Sequence, residues 1–180
     1  HVSSNKAWQG QVKQLQQMEK LQPALPNTLQ AELRDYQLQG FQWLAKLAHW
    51  GVGACLADDM GLGKTLQTLA LLLQRASEGP TLVVAPVSVA NNWQTEAARF
   101  APTLKIHWFY DNRDLTTVGP FDLVICSYGM LQNNTEQFTA VQWHTLVLDE
   151  AQAIKNDGTK RAKAAIALNA DFRLALSGTP

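Results

Sequence analysis

Apolar residues along this chain fall into short contiguous runs, separated by longer stretches in which they return every three or four positions. Runs at 54–57, 81–85, 104–109, 121–126, 145–148 and 172–176 are rich in Leu, Val and Ile, and they read as buried strands. Between them the period changes to that of a helix. Leu33, Tyr36, Leu38, Phe41, Leu44, Leu47 and Ala48 keep a helical spacing over 29–50, with Gly51 and Gly53 closing it. Further helices are predicted after residue 64, over 89–100 with Ser88 as the cap, and over 159–168, while 111–114 reads as a polar turn. Strands alternating with helices predict an α/β fold, a mainly parallel sheet with helices on both faces. Such sheets bind ligands at the carboxyl ends of their strands, so the residues just after each run carry the candidate chemistry.

Residues 1–28 are different in texture. They are rich in Gln and Lys, place Leu15, Met18 and Leu21 at helical spacing, and break at Pro23 and Pro26. A helical lead-in over 1–28 followed by one domain over 29–180 is the expected organisation. A chain of 180 residues with 46% apolar content can bury one sizeable core. Its 15 basic and 15 acidic residues cancel, so any contact with a polyanion must come from a local patch. Cys55 and Cys126 lie in strand-like runs and are expected as buried, inert thiols. His49, His107 and His144 are scattered without metal-ligand spacing. No signal peptide and no run approaching the ~20 apolar residues of a membrane span occurs, which leads to the expectation of an intracellular protein. The start at His1 and the stop at Pro180, just after a strand-like run, suggest a piece of something larger.

Chemistry concentrates first at 56–65, where Asp59, Met60, Gly61, Leu62, Gly63, Lys64, Thr65 and Leu66 join an apolar run to a helical pattern. Glycines at 61 and 63 let backbone N–H groups turn inward around phosphate oxygens; Lys64 reaches the β- and γ-phosphates, and the Thr65 hydroxyl is placed for Mg²⁺. A helix starting at Lys64 aims its positive end at the same anion. Asp58 stands where the full phosphate-loop pattern has its first Gly. A chance Gly-Lys-Thr in a turn is the plain alternative, but the strand-then-helix context is the one the mechanism requires. The second element is Asp149-Glu150 at the end of the 145–148 run. Asp149 can hold the Mg²⁺ shell, and Glu150 can orient or deprotonate a water, a pairing that points to hydrolysis.

Further segments recur in a recognisable order: 33–37 (Leu-Arg-Asp-Tyr-Gln), 56–65, 85–88 with Trp93, 127–129 (Ser-Tyr-Gly), 149–152 (Asp-Glu-Ala-Gln) and 176–180 (Leu-Ser-Gly-Thr-Pro). In this order the chain resembles the first RecA-like lobe of the Swi/Snf-type ATPases of helicase superfamily two, over residues 29–180. The loop with Asp58 fits that family's version, and Gln152, where eukaryotic members often carry His, suggests a bacterial or archaeal branch. The resemblance implies an ATP- and Mg²⁺-dependent translocase on double-stranded DNA, with a second lobe supplying arginine fingers. It implies Gln37 as the adenine contact, Gln152, Ser177, Gly178 and Thr179 as coupling residues, and Ser88 and Ser127 on the nucleic-acid surface. Its setting would be the bacterial cytoplasm and nucleoid, or the nucleus in a eukaryote. Lys155, with Lys160, Arg161 and Lys163, forms the one basic cluster, read first as a solvated helix face and second as a DNA-phosphate contact. Trp43 and Trp93 have apolar neighbours and are expected in the core. Two other classes stay open from the residues alone: a self-sufficient phosphate-loop hydrolase or kinase, and a nucleotide-gated interaction module.

Overall fold

A computed structural model describes residues 22–57, 63–154 and 159–178, with residues 9, 10 and 13. Among the described residues six strands form one parallel sheet in the order β1-β6-β5-β2-β4-β3. They are β1 (Ala54–Ala57), β2 (Thr81–Ala85), β3 (Lys105–Trp108), β4 (Asp122–Ser127), β5 (Gln142–Leu148) and β6 (Asn169–Ser177). The helices are α1 (Asp35–Trp50), α2 (Lys64–Arg75), α3 (Val87–Phe100), α4 (Tyr128–Asn133), α5 (Thr135–Thr139) and α6 (Lys160–Ile166), with 3-10 turns at Ala76–Glu78 and Ala151–Ile154. The α/β fold expected from the alternating pattern is the fold observed.

Strand alternation divides the core between the two faces. Val83 and Ala85 of β2 and Leu123 and Ile125 of β4 pack with Phe41 and Leu44 of α1, Leu69 to Leu73 of α2 and Trp93 of α3. Leu82, Val84, Val124 and Cys126 face the other way, toward Tyr128, Leu131, Phe138, Ala164 and Ala165. With both faces covered, β2 is buried at every position, as its continuous apolar run required. A tight α1–α2 crossing adds to the first face: a methyl at Gly40 would lie 2.2 Å from Oε1 of buried Gln67, so a larger residue there requires that carboxamide to move.

Several boundaries differ from expectation, each for a local reason. Helix α1 begins at Asp35 rather than near Leu29, because Leu29 is anchored in the core while the Gln30 N–H bonds the Phe100 carbonyl. Arg34 is extended there, and its N–H donates to Gln37 Oε1 at 2.8 Å. Helix α3 begins at Val87 directly after Pro86, so Ser88 lies exposed inside the first turn and is not the cap. Helices α4 and α5, of 6 and 5 residues, are too short to show a period and have no counterpart in the sequence expectation. Cys55 is exposed, since β1 is an edge strand, and only Cys126 is the buried thiol foreseen. Trp43 is 46% exposed and Trp93 1%, so only the second tryptophan belongs to the core. Most of the lead-in over 1–28 lies outside the described residues, but Leu25 packs on the core. Among the described residues no helix is long and apolar enough to cross a membrane.

Candidate active site

Parallel strands put all their carboxyl ends on one edge, and the registers align the motif residues there. Ala57 pairs with Ser177, Val84 with Leu148, and Ala85 with Ser127. Asp149 therefore leaves the middle of the sheet, between the exits of β6 and β2.

On the β1 side, residues 58–62 and with them Asp59, Met60, Gly61 and Leu62 lie outside the described residues. Gly63 follows them as N-cap of α2, with φ 91° and ψ −7°, a left-handed backbone that favours glycine. Lys64, Thr65 and Leu66 are the first three residues of the helix. Lys64 is buried, and its ammonium donates to the Ser177 carbonyl at 2.8 Å. Gln37 reaches the same place from α1. A methyl on Gly63 would lie 2.3 Å from Gln37 Nε2, so the carboxamide rests against the helix start while its oxygen receives the Arg34 N–H.

Asp149 is held from several directions. Its Oδ2 accepts the Trp93 indole N–H at 2.7 Å, its Oδ1 accepts the Glu150 N–H at 2.8 Å, and its carbonyl accepts the Tyr128 hydroxyl at 2.8 Å. Its own N–H donates to the Val84 carbonyl at 2.8 Å. Burial pushes the Asp149 carboxyl above the ordinary carboxylate range, and the Glu150 charge adds to that rise. The indole, the Glu150 N–H and the Lys64 charge oppose it. Glu150 sits at φ 51°, a left-handed conformation that costs a residue with a side chain about 1–2 kcal/mol. Gln152 Nε2 donates to Glu150 Oε2, and the Ser177 hydroxyl donates to Gln152 Oε1 at 3.0 Å. A methyl on Gly178 would lie 3.8 Å from Glu150 Oε1, so β6 ends directly over the carboxylate.

These bonds form a chain from Lys64 through Ser177 and Gln152 to Glu150, with Asp149 next in sequence. Lys64, Gln37, Asp149, Glu150, Gln152, Ser177 and Gly178 are thus brought together, whereas Thr179 and Lys155 lie outside the described residues. Ser88 and Ser127 lie on the same edge but outside this chain of bonds; Ser127 caps α4 by accepting the Met130 N–H at 3.1 Å. Lys160, Arg161 and Lys163 form an exposed face of α6. Two participants were not assigned to the site by sequence, Trp93 and Tyr128. The available signal was that a tryptophan expected in the core must find an acceptor for its N–H.

The donor set suits a nucleoside triphosphate with a divalent cation: a buried ammonium, a helix amino end behind a left-handed glycine, and a carboxylate beside them. Fold and site together define the nucleotide-binding lobe of a RecA-like phosphate-loop protein. Residues 36–180 match the model of the SNF2-related domain, and the chain belongs to that family. It is 41% identical to the SWI2/SNF2 ATPase core of Sulfolobus solfataricus, solved in complex with double-stranded DNA, with a TM-score of 0.81 over 89% of this chain and 35% of that one. It is 43% identical to the putative ATP-dependent helicase/translocase YwqA of Bacillus subtilis, over 89% of this chain and 18% of the relative. Identity to the chromatin-remodeling ATPase INO80 of Sclerotinia sclerotiorum is 38%, over 86% of this chain and 10% of the relative. The chain thus spans less than a fifth of the length of these curated relatives.

Proposed function

We propose that the chain is the first of two lobes of an ATP-driven translocase on double-stranded DNA, whose whole activity needs the longer protein. The observation that carries this reading is the chain of hydrogen bonds from Lys64 through Ser177 and Gln152 to Glu150. When bound, ATP with Mg²⁺ supplies the scissile phosphoanhydride and a cationic charge opposite the phosphates. Lys64 and the amino end of α2, with residues 59–63 before it and Leu66 behind, hold the phosphate oxygens. Thr65 and Asp149 would hold the metal, Glu150 would orient a water and accept its proton, and Gln37 would meet the adenine edge. Gln152, Ser177, Gly178 and Thr179 couple this site to a second lobe. Ser88, Ser127 and Lys155 grip DNA phosphates without reading sequence. The Sulfolobus core, whose solved complex contains double-stranded DNA, supports the choice of partner. Working on DNA would place the protein in the nucleoid or the nucleus.

The test uses the full-length protein. Lys64→Ala and Glu150→Gln are each expected to lower DNA-stimulated ATP hydrolysis by at least about a hundredfold while the folded state persists by circular dichroism. Wild-type turnover in the Glu150→Gln protein would remove Glu150 from the chemistry. Hydrolysis by the wild-type protein that duplex DNA does not stimulate would favour the self-sufficient hydrolase instead.

A further inference from the structure

Asp149 is held by side chains from two helices that also reach the proposed DNA surface. Helix α3 carries exposed Ser88 in its first turn and Trp93 further along; the indole is 1% exposed and donates to Asp149 Oδ2 at 2.7 Å. Ser127 ends β4, and the next residue, Tyr128, is 2% exposed and donates its hydroxyl to the Asp149 carbonyl at 2.8 Å. Among the described residues neither polar atom makes a second hydrogen bond, and both side chains are otherwise embedded in apolar core, Trp93 on one face of the sheet and Tyr128 on the other. Asp149 is thus clamped from both faces: one clamp sets its carboxylate, the other its peptide. The Glu150 N–H on Oδ1 is too local to fix the carboxylate against α3 by itself.

We propose that Trp93 and Tyr128 are positioning residues that carry the state of the DNA-facing edge to the Mg²⁺-side carboxylate, and so set DNA stimulation of hydrolysis; this rests on the function proposed above. The physical basis is short. A backbone phosphate bearing on exposed Ser88 displaces the first turn of α3, whereas Ser127 is buried with its hydroxyl on the Met130 N–H, so a load on that edge reaches the first turn of α4 through the backbone. Both are packed against the sheet, so a displacement reaches the indole N–H and the phenol as a change in hydrogen-bond length, to which such bonds respond steeply. The carboxylate lone pair that the indole N–H occupies is also one a cation or its water shell would use, so loosening this bond changes what Asp149 offers to the metal.

The experiment measures ATP turnover of full-length wild-type, Trp93→Phe and Tyr128→Phe proteins, each with and without duplex DNA, across a Mg²⁺ titration, alongside duplex affinity and melting temperature. Trp93→Phe keeps a ring in the core and removes the N–H; Tyr128→Phe removes one oxygen. The expected result is that the ratio of DNA-stimulated to DNA-free turnover falls by about tenfold in Trp93→Phe and by a few-fold in Tyr128→Phe, since a bond to a charged acceptor is the stronger of the two. The Mg²⁺ concentration for half-maximal rate shifts in Trp93→Phe, and duplex affinity stays within about twofold of wild type. A merely structural role would lower the melting temperature and scale both turnover rates together. A stimulation ratio and Mg²⁺ dependence equal to wild type in both variants would overturn the proposal. Should Trp93→Phe fail to fold, an unchanged ratio in Tyr128→Phe overturns it and a reduced one supports it. A wild-type protein that duplex DNA does not stimulate would overturn the functional reading itself, an outcome separate from failure of the clamp.

Discussion

Gly63→Ala separates two reasons for the glycine at the amino end of α2. The first is backbone: at φ 91° any residue with a Cβ is strained, at a cost of about 1–2 kcal/mol. The second is contact. The new methyl would stand 2.3 Å from Gln37 Nε2, so the carboxamide must swing away and release the Arg34 N–H it accepts at 2.8 Å. That bond contributes about 0.5–1.5 kcal/mol at the start of α1. The two effects together give about 1.5–3.5 kcal/mol, or a fall in melting temperature of about 3–14 °C for a domain of this size. The assay is thermal unfolding of this 180-residue chain by circular dichroism, run as a cycle with Gln37→Ala. In the Gln37→Ala background nothing is left to collide, so Gly63→Ala should cost only the backbone part. A melting temperature for Gly63→Ala within about 1 °C of the parent would refute the whole estimate. Equal costs in both backgrounds would refute the contact between Gly63 and Gln37 while leaving the backbone argument in place.

Three further outcomes follow from burial and charge. Cys126 is fully buried and its thiol is pushed upward by burial, whereas Cys55 is exposed; iodoacetamide followed by peptide mass spectrometry should label Cys55 rapidly and Cys126 only after unfolding. Trp93→Ala should cost about 3–5 kcal/mol by chemical denaturation, while Trp43→Ala, at a site 46% exposed, should cost less than about 1 kcal/mol; equal losses would contradict the packing. The Asp171 carboxyl is held below the ordinary range, first by its hydrogen bond with His144 at 2.9 Å and then by Gln142. A lowered carboxylate pKa adds stability above the unfolded value of about 3.9, and that stability is lost as pH falls through the folded value. Asp171→Asn should therefore lower the melting temperature at pH 7, with the gap to wild type closing below about pH 4; a gap that widened in acid would reverse the assignment.

Legibility in the sequence tracked how far each signal is local. Strand runs such as 81–85 could be read because burial on both faces leaves an unbroken apolar stretch, and β2 is buried throughout. The placement of Lys64, Asp149 and Glu150 on one edge could be read because each follows a strand run, and a parallel sheet gathers the carboxyl ends of its strands. Helices of 6 and 5 residues could not, since neither completes two turns. Trp43 and Trp93 look alike in sequence, and only the placement of α1 and α3 exposes one and buries the other. Ser88 misled for a related reason: Pro86 starts α3 earlier than a serine cap would, since its fixed φ of −57° already suits the residue before a helix. The positions of Gln152 and Ser177 were implied by resemblance, but the bond between them joins residues 25 apart and depends on where β6 ends.

Lys64 rests on a neutral carbonyl, that of Ser177, although its charge would bond an anionic phosphate oxygen more strongly. On the proposed function, an ammonium that bonded phosphate would free that carbonyl at the last residue of β6. The same residue donates through its hydroxyl to Gln152, and Gln152 in turn donates to Glu150. A change at the Ser177 side chain therefore reaches Glu150 through two hydrogen bonds. Glu150 is already held in a left-handed backbone conformation, so its neighbours, rather than its intrinsic preference, set its orientation. Were the Gln152 bond released, that carboxylate would have an acceptor oxygen available to a water, so the contact of Lys64 with Ser177 and the exposure of the Glu150 carboxylate are linked through Gln152.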